Sequence, residues 1–194
     1  MKLLERTLFH PTPGRGVMAR SSRGCLEPTI AQAPDGRLLM VMRGSNESIP
    51  DQPGVKWFSI SHDEGRTWTP PEPWTYTDGE TCYSPSSSSQ LFQHSSGRLY
   101  WLGNVSPENP RGSYPRYPLV IGKVDPDSLL LIRESVYPID TWQPEDGPLP
   151  VMLSSFYAHE DRRNGHILLH LSRVFRHTPD EYPTGEAFLY RLEI

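Results

Sequence analysis

The chain has 194 residues, 36% of them apolar, and a formal charge of −4 from 19 basic and 23 acidic side chains. That length can bury a substantial single core, and the near balance of charge excludes the basic footprint of a protein built for nucleic acid or an anionic membrane. Proline supplies 21 residues, well above the usual ~5%, which argues against long helices and for short strands joined by turns.

The first residues, Met1 to Gly16, hold no continuous apolar run and do not read as a signal peptide. No segment of the chain is long and apolar enough to span a bilayer as a helix, and the compartment stays open. Glu5 to Pro11 reads as a lead-in strand. Cys25 and Cys82 lack metal-ligand spacing and read as two interior thiols. Asn46-Glu47-Ser48 and Asn104-Val105-Ser106 fit the glycosylation pattern, but without a secretory signal both read as chance.

Four strands follow. The first runs from about Glu27 to Ala33 and the second from Arg37 to Arg43, apolar at five successive positions as befits a strand buried on both faces. The third runs from Val55 to Ser61. The fourth begins at Thr67 and ends in the proline-rich stretch Pro70 to Pro73, where proline suits a sheet edge. Between the third and fourth lies Ser61-His62-Asp63-Glu64-Gly65-Arg66-Thr67-Trp68. Asp63 can accept backbone hydrogen bonds within its own turn, Gly65 supplies backbone freedom, and the Trp68 indole can plug the space below.

A second unit offers strands at Ser87 to His94, Arg98 to Asn104, Pro118 to Val124 and Leu129 to Val136, with Asp125 to Ser128 as a degenerate copy of the Asp63 turn. Composition alone would make Ser84 to Ser89 a flexible linker; the repeat places it instead at the start of an inner strand. A third unit offers Leu153 to His159, Ile167 to Arg173 and Ala187 to Ile194, and stops after three strands. Each unit carries a glycine turn followed by an apolar run, and the glycines, Gly36, Gly97 and Gly165, are 61 and 68 positions apart. A long internal period of hairpin units signals radial repetition: an all-β propeller, with blades near residues 27–80, 81–140 and 150–194 and a lead-in over residues 1–26. Three blades are too few to close a ring, so the expectation is half of a six-bladed propeller, completed by a missing half or by a second copy.

The spacing predicts a charged cluster. Glu27 is eight residues before Asp35 and Arg43 eight after, so a hairpin folded at Asp35-Gly36 makes them cross-strand neighbours at the end away from the turn. Arg116, just before the third strand of the second unit, belongs to the same rim; Arg111 competes for its place. The Asp63 turn falls on the opposite rim. Read without further context, Glu27 and Arg43 also fit a plain ion pair.

The motif Ser61, Asp63, Gly65, Thr67, Trp68 is that of an Asp-box, and with the Glu27 to Arg43 segment, Arg116 to Leu119 and the third unit the chain resembles the C-terminal half of sialidases (neuraminidases) and sialidase-like BNR-repeat proteins. The resemblance implies an exo-acting glycoside hydrolase for a terminal acidic sugar such as sialic acid, without metal or organic cofactor. It implies that Arg43 and Arg116 are the second and third of three arginines gripping the substrate carboxylate, and that Glu27 polarises a tyrosine nucleophile. The first arginine and the aspartate acid/base belong to a half absent here. Leu153 stands where the tyrosine is expected, and Tyr157, on the same strand face, lies roughly 13 Å deeper.

Leu153 motivates one alternative, a non-catalytic propeller that binds carbohydrate or protein; the missing blades motivate another, a truncated fragment without independent activity. His159-Glu160-Asp161 and His166 with His170 suggest metal ligands at a glance, but the spacing favours a polar turn, Glu160 to Gly165, in which Asp161 and Arg162 pair. The five tryptophans, Trp57, Trp68, Trp74, Trp101 and Trp142, read mainly as core rather than as a sugar platform.

Overall fold

The computed structural model describes residues 20–194 apart from residues 176, 177, 179 and 181. The lead-in strand at Glu5 to Pro11 lies outside the described residues. The rest folds as three antiparallel sheets in sequence order, three consecutive blades of a β-propeller. Blade 1 comprises β1 (Leu26–Gln32), β2 (Leu38–Arg43), β3 (Lys56–Ser61) and the two-residue β4 (Glu72–Pro73). Blade 2 comprises β5 (Gln90–Gln93), β6 (Leu99–Asn104), β7 (Leu119–Val124) and β8 (Tyr137–Asp140). Blade 3 comprises β9 (Met152–Glu160), β10 (Ile167–Phe175) and β11 (Thr184–Leu192), with β9 and β11 on either side of β10.

The blades are made locally. The repeat glycines Gly36, Gly97 and Gly165 have φ of +92°, +82° and +76°, a left-handed conformation that a Cβ would disfavour. In the Asp63 turn, Oδ1 accepts from the Thr67 amide at 2.8 Å and Oδ2 from the Thr67 hydroxyl at 2.6 Å. The Ser61 hydroxyl donates to Oδ1 at 2.8 Å and accepts from the Gly65 amide at 2.8 Å, while the Trp68 indole N–H closes on the Gly65 carbonyl at 2.9 Å. The second unit keeps a remnant: Asp125 Oδ1 accepts from the Ser128 amide and hydroxyl.

The fourth strands of blades 1 and 2 differ from the sequence reading. The fourth strand of blade 1 does not begin at Thr67; only Glu72–Pro73 pairs with β3, because Thr67 and Trp68 belong to the turn and the prolines offer no amide to a ladder. The fourth strand of blade 2 is Tyr137–Asp140 rather than Leu129 to Val136. Leu129 has φ +60° and Arg133–Ser135 forms a 3-10 turn, so that apolar run packs Leu129 and Leu131 into the seam with blade 1 instead.

Apolar faces meet between blades. Leu39 and Val41 pack with Leu91, Leu99, Trp101, Val120 and Val124 between blades 1 and 2. Phe92, Tyr100, Leu102, Leu119 and Ile121 pack with Leu153, Ala158, Leu169 and Leu171 between blades 2 and 3. Trp57, Trp74 and Trp101 are fully buried, and Trp74 meets Trp101 edge-on at 5.4 Å, so these three are core and no platform. Polar fasteners add direction. The Leu91 amide donates to Thr29 Oγ1 at 2.8 Å, and the Gln90 amide side chain both donates to and accepts from the Ala158 backbone at 2.8 Å. On the outer side Arg173 forks onto Asp146 at 2.8 and 2.9 Å and pairs with Asp140, which also accepts from the Tyr190 hydroxyl. In the β9–β10 turn Asp161 pairs with Arg163 at 3.2 Å, not with Arg162.

The Asp-box has a measurable acid signature. Donation from the Thr67 hydroxyl and amide, aided by Ser61, holds the Asp63 carboxyl at about 2. A depressed folded value stabilises the fold above the ordinary carboxylate range and is lost as pH falls through it towards 2. Asp63→Ala is therefore expected to lower the melting temperature at pH 6, and the gap to the wild type is expected to close between pH 4 and pH 2 in a series of thermal melts.

Candidate active site

The rim opposite the Asp-box gathers the charged residues. The Glu27 carboxylate meets Arg43 Nη1 at 2.9 Å. They are neighbours as the hairpin spacing predicts, but not by direct register: Thr29 opposes Val41, a bulge follows, and Leu26 opposes Arg43. Glu27 occupies the bulge with φ +48°, a costly conformation for a non-glycine residue. The Arg43 side chain is mostly buried at 15% exposure and Glu27 half-exposed at 46%, so the carboxylate is the accessible member of the pair.

Arg116 sits on the parallel segment of blade 2. Its Nη1 donates to Ser154 Oγ at 3.1 Å and its Nε to the Ser113 carbonyl at 3.1 Å, while the Tyr114 ring lies 5.7 Å from the guanidinium carbon. Arg111 is exposed. Asn104, fully buried at the end of β6, holds this segment. Its side-chain amide donates to the carbonyls of Arg116 at 2.9 Å, Leu153 at 3.1 Å and Pro118 at 3.3 Å. Asn46 and Asn109 tie the flanking loops of blades 1 and 2 in the same manner: Asn46 Nδ2 donates to the Pro110 carbonyl, and Asn109 Oδ1 accepts from the Gly54 amide, both at 2.8 Å. Both asparagines of the glycosylation pattern, Asn46 and Asn104, are thus buried and bonded.

Lys56 is the residue that sequence reasoning missed. It opposes Arg43 across β2 and β3, is 1% exposed, and donates from Nζ to the carbonyls of Pro85 at 2.9 Å and Ser87 at 2.5 Å. Burial pushes its ammonium down to about 7; Arg43 and Arg116 push the same way, and Cys82 and Glu27 oppose them. A lysine at the head of an alternating strand reads as solvated, and only the inner segment of the next blade makes this one buried. That segment, Ser84 to Ser89, is neither linker nor strand: β5 starts at Gln90, while Ser84, Ser86 and Ser87 are buried.

On β9 the side chain at the expected nucleophile position, Leu153, is fully buried in the seam between blades 2 and 3. Ser154 is the β9 side chain bonded to Arg116. Tyr157 is 65% exposed and stacks near His159, which itself stacks on His170 at 5.4 Å. Glu160 turns the other way, to the Ser95 amide and hydroxyl of blade 2. The cysteines are free; Cys82 is buried and Cys25 half-buried, and burial raises both thiols to about 11. A cleft of about 410 Å³ lined by Arg98, Lys123, Tyr137 and Arg191 lies at the other end of blades 2 and 3, away from Glu27 and Arg116.

The sequence profile described as "BNR repeat-like domain" matches residues 10–138, about two-thirds of the chain. No curated protein sequence matches. Among solved structures, the family 43 glycoside hydrolase YxiA of Bacillus licheniformis is similar with a TM-score of 0.58 at 12% identity, covering 91% of this chain and 39% of that one. The endo-1,5-α-L-arabinanase of Thermotoga petrophila RKU-1 is similar with a TM-score of 0.56 at 16% identity, covering 92% and 41%. A mutant of the NanB sialidase of Streptococcus pneumoniae reaches a TM-score of 0.50 at 18% identity, covering 76% and 20%. This chain spans about two-fifths or less of these neighbours, which are β-propeller glycoside hydrolases, and at such identities the likeness is one of fold.

Two outcomes are expected from the site's polar supports. Asn104→Ala removes the buried donor shared by the carbonyls of Arg116, Leu153 and Pro118, of which Arg116 keeps the Leu153 amide, and should cost about 2–4 kcal/mol in urea unfolding. Lys56 carries the opposite sign to a paired carboxylate. Its folded value lies below its unfolded one, so the fold gains stability as pH rises above 7. Between pH 7 and 9 the gain should be about 2 kcal/mol, seen as a rising melting temperature that Lys56→Met abolishes.

Proposed function

The chain belongs to the family of BNR repeat-like domains, and from that premise we propose that it is the C-terminal, substrate-gripping half of a sialidase-like glycoside hydrolase site for an acidic sugar, sialic acid being the candidate. The observation that carries this reading is the grouping of two arginines, Arg43 and Arg116, around a fully buried lysine on the rim that also carries Glu27. Arginine stays charged at every working pH and can fork onto a carboxylate. Held by Glu27 and by Ser154, each guanidinium is oriented before a ligand arrives, which lowers the ordering cost of binding. Glu27, half-exposed beside Arg43, is placed to orient or polarise a neighbouring hydroxyl. Completion of the ring, by a missing half or a second copy, belongs to this reading.

A second reading, binding without turnover, is favoured by Leu153. A buried leucine supplies no nucleophile, and Ser154 beside it is engaged by Arg116. Tyr114 provides a phenol beside Arg116, with its hydroxyl 3.6 Å from Met152 Sδ.

Calorimetric titration with free sialic acid, and with a neutral sugar as control, tests the proposal. Saturable binding of the acidic sugar alone is expected, weakened roughly 10–100-fold in Arg43→Ala, the range for losing a charge-assisted hydrogen bond. Equal affinity in wild type and variant removes the assignment. Release of an aryl leaving group from an aryl sialoside decides between hydrolysis and binding alone.

A further inference from the structure

The two arginines belong to different blades, and nothing in their own strands sets the distance between them. A continuous polar path does. It starts at Arg43, crosses the β2–β3 ladder to Lys56, and passes from Nζ to the carbonyls of Pro85 and Ser87 on blade 2. From the adjoining Ser88 the hydroxyl donates to the Ser154 carbonyl on blade 3 at 2.8 Å, and Ser154 Oγ accepts from Arg116 at 3.1 Å. The two Lys56 bonds are buried, so water does not compete for them, while the Ser88–Ser154 and Arg116–Ser154 bonds are part-buried.

We propose that Lys56 is a positioning residue for the anion site: its buried ammonium straps blade 1 to the inner segment of blade 2 and thereby holds Arg43 and Arg116 at the spacing that a carboxylate needs. This rests on the acidic-sugar reading above and adds to it a residue and a pH dependence. The ammonium binds two carbonyls as a cation does; a neutral amine keeps fewer and weaker bonds to them. The charged and titratable groups facing it are Arg43, Glu27, Arg116 and Cys82. Burial pushes the Cys82 thiol up to about 11 and the Lys56 ammonium down to about 7, which puts the change of charge at Lys56 near neutrality. Deprotonation loosens the strap and removes one positive charge, and both effects weaken anion binding.

The test uses the full chain and free sialic acid as probe, titrated calorimetrically from pH 6 to pH 9, together with spectra of the arginine Nε–H signals of the ligand-free protein. In the wild type the affinity is expected to fall at least fivefold across that range. Lys56→Met should bind at least fivefold more weakly at pH 6 and show no further fall. Ser88→Ala, a small change further along the path that leaves the ammonium in place, should bind more weakly while keeping the pH dependence. In the ligand-free spectra, Lys56→Met should shift the signals of both Arg43 and Arg116. A pH-independent wild-type affinity equal to that of Lys56→Met overturns the proposal and leaves the acidic-sugar reading standing. Absence of sialic acid binding in the wild type sinks that reading, and the spectra then decide for Lys56 alone: an unmoved Arg116 signal overturns the positioning role, a moved one supports it. Should Lys56→Met fail to fold, an unchanged affinity and unmoved Arg116 signal in Ser88→Ala overturn it equally.

Discussion

The innermost strand of each blade has one edge without a ladder partner, and its main-chain groups must be satisfied by something other than the sheet. Most of the structure around the central axis answers that constraint. Thr29 receives the Leu91 amide, Gln90 bridges to Ala158, Ser88 reaches the Ser154 carbonyl, and Asn104 spreads its amide over Arg116, Pro118 and Leu153. Lys56 does the same for Pro85 and Ser87 with a full charge. Each of these side chains comes from one blade and serves a backbone stretch elsewhere around the axis, so the polar accounting of the inner edges is also what sets the angle and spacing of the blades. Apolar seams supply the bulk of the attraction, but they are non-directional; the inner-edge bonds give the stack its geometry.

The charged rim is a consequence of that arrangement. Arg43 and Lys56 share the face of blade 1 that looks towards blade 2, alongside Val41 and Phe58 in the same register. A bulge at Glu27 brings a carboxylate onto Arg43 at the cost of a left-handed backbone. Arg116, in a loop segment pinned by Asn104, approaches from blade 2 and leans on Ser154 of blade 3. Three blades thus contribute to one patch of positive potential with the Glu27 carboxylate beside it. The opposite rim, with its Asp-box and glycine turns, is built for stability: the Asp63 carboxylate is spent on Thr67 and Ser61 within its own turn, while Arg37 and Ser95 bond across to the turns of the next blade.

Turn chemistry was legible because it is local. Asp63, Gly65 and Trp68 lie within a few residues of one another, and their hydrogen bonds need no other blade; Gly36, Gly97 and Gly165 likewise mark hairpins by their own backbone demands. The pairing of Glu27 with Arg43 was legible because a hairpin folded at a known glycine fixes which residues meet, although the bulge that makes it work was not. The run from Leu129 to Val136 was misleading for the reverse reason: an apolar stretch signals burial without saying in which conformation, and here Leu129 and Leu131 fill a seam while the ladder moves on to Tyr137.

The amino-acid sequence by itself determined the hairpins, their repetition at intervals of 61 and 68 residues, the Asp-box, and which residues end each strand at the charged rim, because turn preference and strand alternation act over a few residues. Only the tertiary structure decided that Lys56 is buried, that Asn104 anchors Arg116, that Leu153 points into a seam and Ser154 towards the arginine, and that Ser84 to Ser87 line the interior. Those outcomes depend on which backbone of a neighbouring blade lies opposite a given side chain. That is a matter of packing between units far apart in sequence, and no local pattern encodes it.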